Sequence, residues 1–167
     1  RTLDEFPDEA IKIIADHREL ASGVIRELKQ LGADVDIRQL DVGDFILSER
    51  VGVERKTVGD FLQSIIDKRL MDQAGKLTET FESPLLVLEG EGLYSRRAIH
   101  PNAVRGALAS LTVDYRIPII STRDEKETAE LLFTVAKREQ KGIKREVPVR
   151  GEAKNCLLYT SDAADDM

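Results

Sequence analysis

The residues best suited to chemistry in this sequence are two acids and a lysine: Asp44, Glu54 and Lys56. Glu54 and Lys56 are separated by one residue within 51–56, Val-Gly-Val-Glu-Arg-Lys, a stretch that reads as a strand. Side chains alternate along a strand, so this carboxylate and ammonium share a face while Arg55 points the other way. Asp44 opens a second short run, Asp44-Phe45-Ile46-Leu47, that pairs with the first as a hairpin. A register in which paired residue numbers sum to 100 sets Asp44 opposite Lys56 and Ile46 opposite Glu54. It requires an odd-numbered loop around Arg50, bulged at Gly52. Two carboxylates over one patch suit a hard divalent cation such as Mg²⁺, which takes oxygen ligands and keeps several waters. Bound there, such a cation polarises a phosphoryl oxygen and lowers the pKa of a bound water. Lys56 then orients that water or offsets transition-state charge. The spacing alone also fits an exposed hairpin with ordinary charges.

These residues need a frame, and the rest of the pattern supplies one. Residues 11–15 predict a buried strand, followed by a helix over 20–31 that Gly32 ends. Strands follow at 35–40, 44–47 and 51–56. Thr57 opens a capping-box sequence, and Phe61, Leu62, Ile65 and Ile66 recur at helical spacing behind it. A second helical stretch covers 69–81. The apolar run 84–90 is a central strand, 101–115 a helix, 117–120 a strand and 125–141 the final helix. Strands separated by helices predict an α/β domain, a mixed central sheet flanked by helices. Residues 1–141 form this domain, 142–155 a basic linker, and 156–167 a patternless tail read as artefactual translation.

The 167 residues fit one domain with a sizeable core. No apolar run approaches the ~20 residues that cross a bilayer, and the first residues are not a signal peptide, so an intracellular protein is expected. The missing initiator Met points to a fragment of a longer chain. The single cysteine, Cys156, excludes an internal disulfide and a cysteine-based zinc cluster. A net charge of -6 argues at first against nucleic acid. Half of it comes from Asp162, Asp165 and Asp166 in the tail, however, and carboxylates that hold a cation count as negative. No G-x-x-x-x-G-K-[ST] phosphate loop occurs, and His17 and His100 lie too far apart in sequence to suggest a metal pair.

Gly43-Asp44, then Glu54-Arg55-Lys56, then three residues and Asp60, resembles the GD-xn-ERK-xxx-D signature of the XPF/Hef nuclease family. Asp16, Arg18 and Glu19 resemble the family's D-x-R-E segment, and Lys68-Arg69-Leu70 falls where a later motif is expected. The likeness runs from about Lys12 to Arg138 and is closest to archaeal Hef. It implies a restriction-endonuclease-like core, dependence on Mg²⁺ or Mn²⁺, and cleavage of flaps, forks and other branched DNA. It also implies a homodimer, and in the full-length protein a helicase and a helix-hairpin-helix domain that this stretch lacks. The filled signature favours an active enzyme over a non-catalytic DNA-binding or dimerisation module. The arginine between Glu54 and Lys56 favours this family over a resolvase-like nuclease.

Individual roles follow. Asp16 stands at the carboxyl end of a buried strand, where α/β sites commonly lie, and is expected in the catalytic site or else as the cap of the following helix. Glu19 is a metal ligand, direct or through water, and Arg18 contacts a carboxylate or the scissile phosphate. The Arg55 side chain is an ion-pair anchor, while its carbonyl joins Asp44 and Glu54 on the metal, as the resemblance implies. Asp60, in a first helical turn, supports the site or merely stabilises the helix terminus. Lys68, Arg69 and Gln73 are candidates for DNA phosphate. Val104, Leu108, Leu111 and Tyr115 recur at helical spacing and, with Phe133, are the expected dimer surface.

Overall fold

Alternating apolar residues divide a six-stranded sheet between two helical layers. The computed structural model describes residues 9–142. Apart from Gly142, the expected linker lies outside the described residues, as does the tail. The strands are β1 (Lys12–Asp16), β2 (Asp34–Arg38), β3 (Phe45–Ile46), β4 (Val51–Thr57), β5 (Ser83–Glu89) and β6 (Ile119–Thr122). Their spatial order is β2-β1-β3-β4-β5-β6. Only β3 runs antiparallel to its neighbours. The helices are α1 (Val24–Gln30), α2 (Val58–Ile66), α3 (Leu70–Thr80), α4 (Pro101–Ala109) and α5 (Glu125–Gln140).

Strand β5 shows how the layers are separated. Leu85 and Val87 join a core with Val24 and Leu28 of α1 and Ala129 and Leu132 of α5. Leu86 and Leu88 join another with Phe61 of α2, Leu77 of α3 and Val104 of α4. Being apolar on both faces is what a central parallel strand requires. On β4, Val51 and Val53 pack into the α1/α5 core, which turns Glu54 and Lys56 towards α2–α4.

Helix starts follow local chemistry. Thr57 Oγ1 accepts from the Asp60 amide at 3.2 Å and so caps α2. His100 Nδ1 accepts from the Asn102 amide at 3.0 Å, and Pro101 occupies the first turn of α4, where a missing N–H costs nothing. Asp124 caps α5 by accepting from the Glu127 amide at 2.8 Å, while Glu127 Oε1 accepts from the Arg123 amide at 2.8 Å.

Several boundaries differ from expectation. The helix expected from residue 20 starts at Val24, after a 3₁₀ turn at His17–Ala21. After α4 the chain continues as a π turn, Ser110–Asp114, and Arg116 adopts a left-handed φ of 57°. These delay the last strand to Ile119–Thr122. In the hairpin, Phe45 faces Val53 and Ile46 faces Gly52, so paired numbers sum to 98, not 100. The loop is centred on Glu49, closed by the Leu47 amide donating to the Val51 carbonyl at 2.9 Å. A shift by two keeps every side chain on its face. Gly52 is paired in register, not bulged, and the Phe81 ring occupies the space its Cβ would fill.

Candidate active site at the ends of β3 and β4

Asp44 is fixed by its own backbone. Gly43 before it adopts φ +84°, a conformation glycine takes without steric cost. The Asp44 amide donates to the Val53 carbonyl at 2.8 Å, and its carbonyl accepts from the Asp16 amide at 2.8 Å, tying it to β4 and β1. Since Phe45 already faces Val53, the ladder is bulged at Asp44, and bulges re-aim side chains. The Asp44 carboxylate accepts from the Arg55 amide at 2.8 Å through Oδ2, while Oδ1 meets no donor among the described residues. In a strand the N–H and C=O of one residue face the same neighbour, so the Arg55 carbonyl also faces this side.

From this bulge Asp44 lies close enough to Glu54 for the two charges to act on each other. Lys56 Nζ lies 3.7 Å from Glu54 Oε2. Burial pushes Glu54 up to about 7, and the Asp44 charge pushes the same way, against Lys56 and Arg18. Burial also raises Asp44, against the Arg55 amide and the charges of Arg18 and Lys56. Two half-buried carboxylates are thus held against each other, an arrangement that a cation between them would relieve. Among the described residues no three His, Cys, Asp or Glu side chains converge as a metal cage. Mg²⁺ tolerates this, since it is held by one or two carboxylates and keeps its waters. Asp44 Oδ1, Glu54 and the Arg55 carbonyl therefore fit a hard cation.

Asp16 caps the 3₁₀ turn that follows it, the alternative its position also allowed. It is fully buried, and accepts from the Leu40 amide at 2.7 Å, the Arg18 amide at 3.1 Å and Arg18 Nε. Burial opposes its charge, yet the Leu40 amide and Arg18 hold it down at about 2. With both oxygens engaged, Asp16 holds Arg18 in place. Arg18 is mostly exposed, and its charge is felt by both Asp44 and Glu54.

Glu19 engages Arg55 and also feels the Asp44 charge. It faces Arg55 Nη1 at 3.3 Å. On the sheet face opposite Glu54, Arg55 also grips Glu89 at 2.9 Å through Nε and 2.6 Å through Nη2, with Glu125 at 3.5 Å. Thr128 Oγ1 donates to Glu89 at 2.6 Å and meets Thr122 Oγ1 at 2.6 Å. Burial raises Glu19 to about 7, with the Asp44 charge adding to it and Arg55 opposing it. The Arg55 side chain is thus the anchor its strand position implied, holding the rear of β4 while its backbone faces Asp44. Glu89 and Thr128 escaped the sequence reading. The one available signal was an acid ending an otherwise apolar central strand.

The remaining candidates are scattered. Asp60 is exposed on the first turn of α2. Lys68 is exposed at a left-handed φ of 59°, and Arg69 pairs with Asp67 at 3.1 Å. Gln73 turns inward: its Oε1 is buried, meets no donor among the described residues, and borders a cavity of about 20 Å³ shared with Glu54, Lys56 and Leu77. It faces the Lys56 side and does not offer that oxygen to DNA. Of the expected dimer residues, Val104 and Leu111 are 0% and 2% exposed and serve the monomer's own core. Leu108, Tyr115 and Phe133 are partly buried.

A mixed sheet between helical layers, with an acid entering one strand and E-x-K ending the next, is a restriction-endonuclease-like fold. The ERCC4 domain model matches residues 15–135, and the chain belongs to that family. It is 47% identical over 146 residues to a putative ATP-dependent RNA helicase of Methanocaldococcus jannaschii, covering 87% of this chain and 18% of that protein. It is 41% identical over 133 residues to the 3′-flap repair endonuclease Xpf of Saccharolobus solfataricus, covering 79% and 57%. The solved structure of XPF from Aeropyrum pernix in complex with DNA superposes with a TM-score of 0.72 at 34% identity, covering 82% and 68%. The chain thus spans less than three fifths of these two curated relatives. Among the described residues no helix is long and apolar enough to cross a membrane.

Proposed function

We propose that this chain is the nuclease domain of a structure-specific endonuclease that hydrolyses phosphodiester bonds in flap, fork or other branched DNA with Mg²⁺ or Mn²⁺. The observation that carries this reading is the mutual approach of Asp44 and Glu54 beside Lys56, on the face opposite the Arg55 anchor. Asp44, Glu54 and the Arg55 carbonyl would hold the cation, which supplies Lewis-acid polarisation of the phosphate and a more acidic bound water. Lys56 offsets charge growing on the phosphoryl oxygens. Arg18, steadied by Asp16, meets the incoming phosphate at the same mouth. The names of the relatives support the activity, and the DNA in the A. pernix complex supports the substrate class.

A homodimer is part of the proposal. Leu108 and Tyr115 lie on the α2–α4 side of the sheet and Phe133 on the α1/α5 side. One interface reaches all three only by wrapping edge strand β6, where Ile120 is 38% exposed and nearby Val113 is 71% exposed. Such an interface would bury on the order of 1,200–2,000 Å². Incubating labelled flap, fork, Holliday-junction and linear duplex DNA with the chain, with and without Mg²⁺, tests the activity. Metal-dependent cutting of branched molecules is expected, and none of the linear duplex. Cutting that ignores either metal or branching rejects the proposal.

A further inference from the structure

The connection from β5 to α4, residues 90–100, is longer than the 2–6 residues usual between a strand and a helix, and surface loops on a rigid scaffold are where binding residues concentrate. Leu93 and Ile99 pin it into the core on the α2–α4 side, the sheet face that bears Glu54 and Lys56. Between those pins the chain is exposed and presents Tyr94, Arg96 and Arg97, with Arg105 of α4 beside them. Arg96 Nη1 reaches within 3.9 Å of where a Gly59 Cβ would stand, on the first turn of α2. That turn begins two residues after Lys56, so the loop lies against the helix that continues directly from the strand bearing Glu54 and Lys56.

Its charge is unspent. Arg18, Arg38, Arg50, Arg55, Arg69 and Arg123 each pair with a carboxylate. Arg96, Arg97 and Arg105 have no ion pair among the described residues, and the loop's one acid is Glu91. In a chain of net charge -6 this is a local cationic surplus. The Arg105 guanidinium stands 5.1 Å from the centre of the Tyr94 ring, which stays 45% exposed. Stacking an arginine on one face of a tyrosine holds the ring in place and leaves its other face for a planar partner.

Resting on the nuclease reading above, we propose that this loop grips the single-stranded DNA arm at a branch point, Arg96 and Arg97 on phosphates and Tyr94 under an unstacked base. A paired base cannot reach an aromatic platform, whereas single-strand binders combine cationic tracks with such platforms. The test is equilibrium binding in EDTA to a single-stranded oligonucleotide, a forked DNA and a nicked duplex lacking an arm. For Arg96→Ala/Arg97→Ala, two lost phosphate contacts should lower the log-log salt slope by about 1.4 on the first two probes and weaken them about 25-fold near 0.1 M salt. Tyr94→Ala should weaken the same two probes, and Tyr94→Phe should restore them. Binding to the nicked duplex, and the Tm, should not change. Equal loss on all three probes, or no loss where the wild type binds the fork, overturns the loop assignment alone. A wild-type chain that neither binds the fork nor cuts it in Mg²⁺ overturns the nuclease reading and the loop with it.

Discussion

Replacing Glu54 by Gln should make the metal-free protein more stable while removing its activity. Burial and the Asp44 charge raise Glu54 from 4.5 to about 7. A group whose folded-state pKa lies above its unfolded value binds its proton more tightly when folded. Its cost is therefore absent below pH 4.5, grows as pH rises, and is complete above about 7. Raising the pKa that far corresponds to roughly 3 kcal/mol. That figure already includes the opposing attraction of Lys56, 3.7 Å away, and the glutamine's own packing and hydrogen bonding set how much of it is realised. The net gain at pH 8 is roughly 1–3 kcal/mol, or about 2–10 °C in Tm for a domain of this size. Calorimetry of wild type and Glu54→Gln in EDTA at pH 5 and pH 8 reads it directly. The gap should be small at the lower pH and largest at the higher one. Mg²⁺ at pH 8 should then raise the wild-type Tm and leave the variant unchanged. A variant less stable than wild type at pH 8, or a gap independent of pH, would refute the claim that Asp44 and Glu54 are held against each other.

Arg55→Ala should cost about 3–5 kcal/mol in urea unfolding, because Glu19 and Glu89 would be left buried without their cation; a loss below 1 kcal/mol would show that the anchor is dispensable. Gly52→Ala should destabilise by about 1–3 kcal/mol, since its methyl would meet the Phe81 ring; an unchanged Tm would mean the ring moves aside freely. Sedimentation should show a dimer that Ile120→Glu or Leu108→Glu converts to a folded monomer, and a wild-type monomer at micromolar concentration would dismiss the interface.

The elements were legible where one local signal ruled each of them. Phe61 and Leu62 became the buried face of α2, Thr57 its cap, and the run 84–88 a central strand. The hairpin register was missed by two because residue types do not number the loop: Gly52 suggested a bulge, and only packing reveals that it makes room for Phe81. Parity survived the error, so Glu54 and Lys56 still share a face and Arg55 the opposite one. What sequence could not supply was long-range pairing. Glu89 and Glu125 reach Arg55 across 34 and 70 positions of chain, and Asp16 finds Leu40 across 24. Those partners decide that Glu19 faces an arginine and that Asp16 steadies Arg18. Val104 and Leu111 were read as surface because helical periodicity marks an apolar face without saying what covers it.

The most direct test of the account is single-turnover cleavage of a flap or fork in Mg²⁺ by Asp44→Asn, with the affinity for the same DNA measured alongside in EDTA. The account predicts that cutting is lost while binding is kept or tightened, because Asp44 serves the cation and otherwise repels phosphate. Cutting at near the wild-type rate by Asp44→Asn would contradict it.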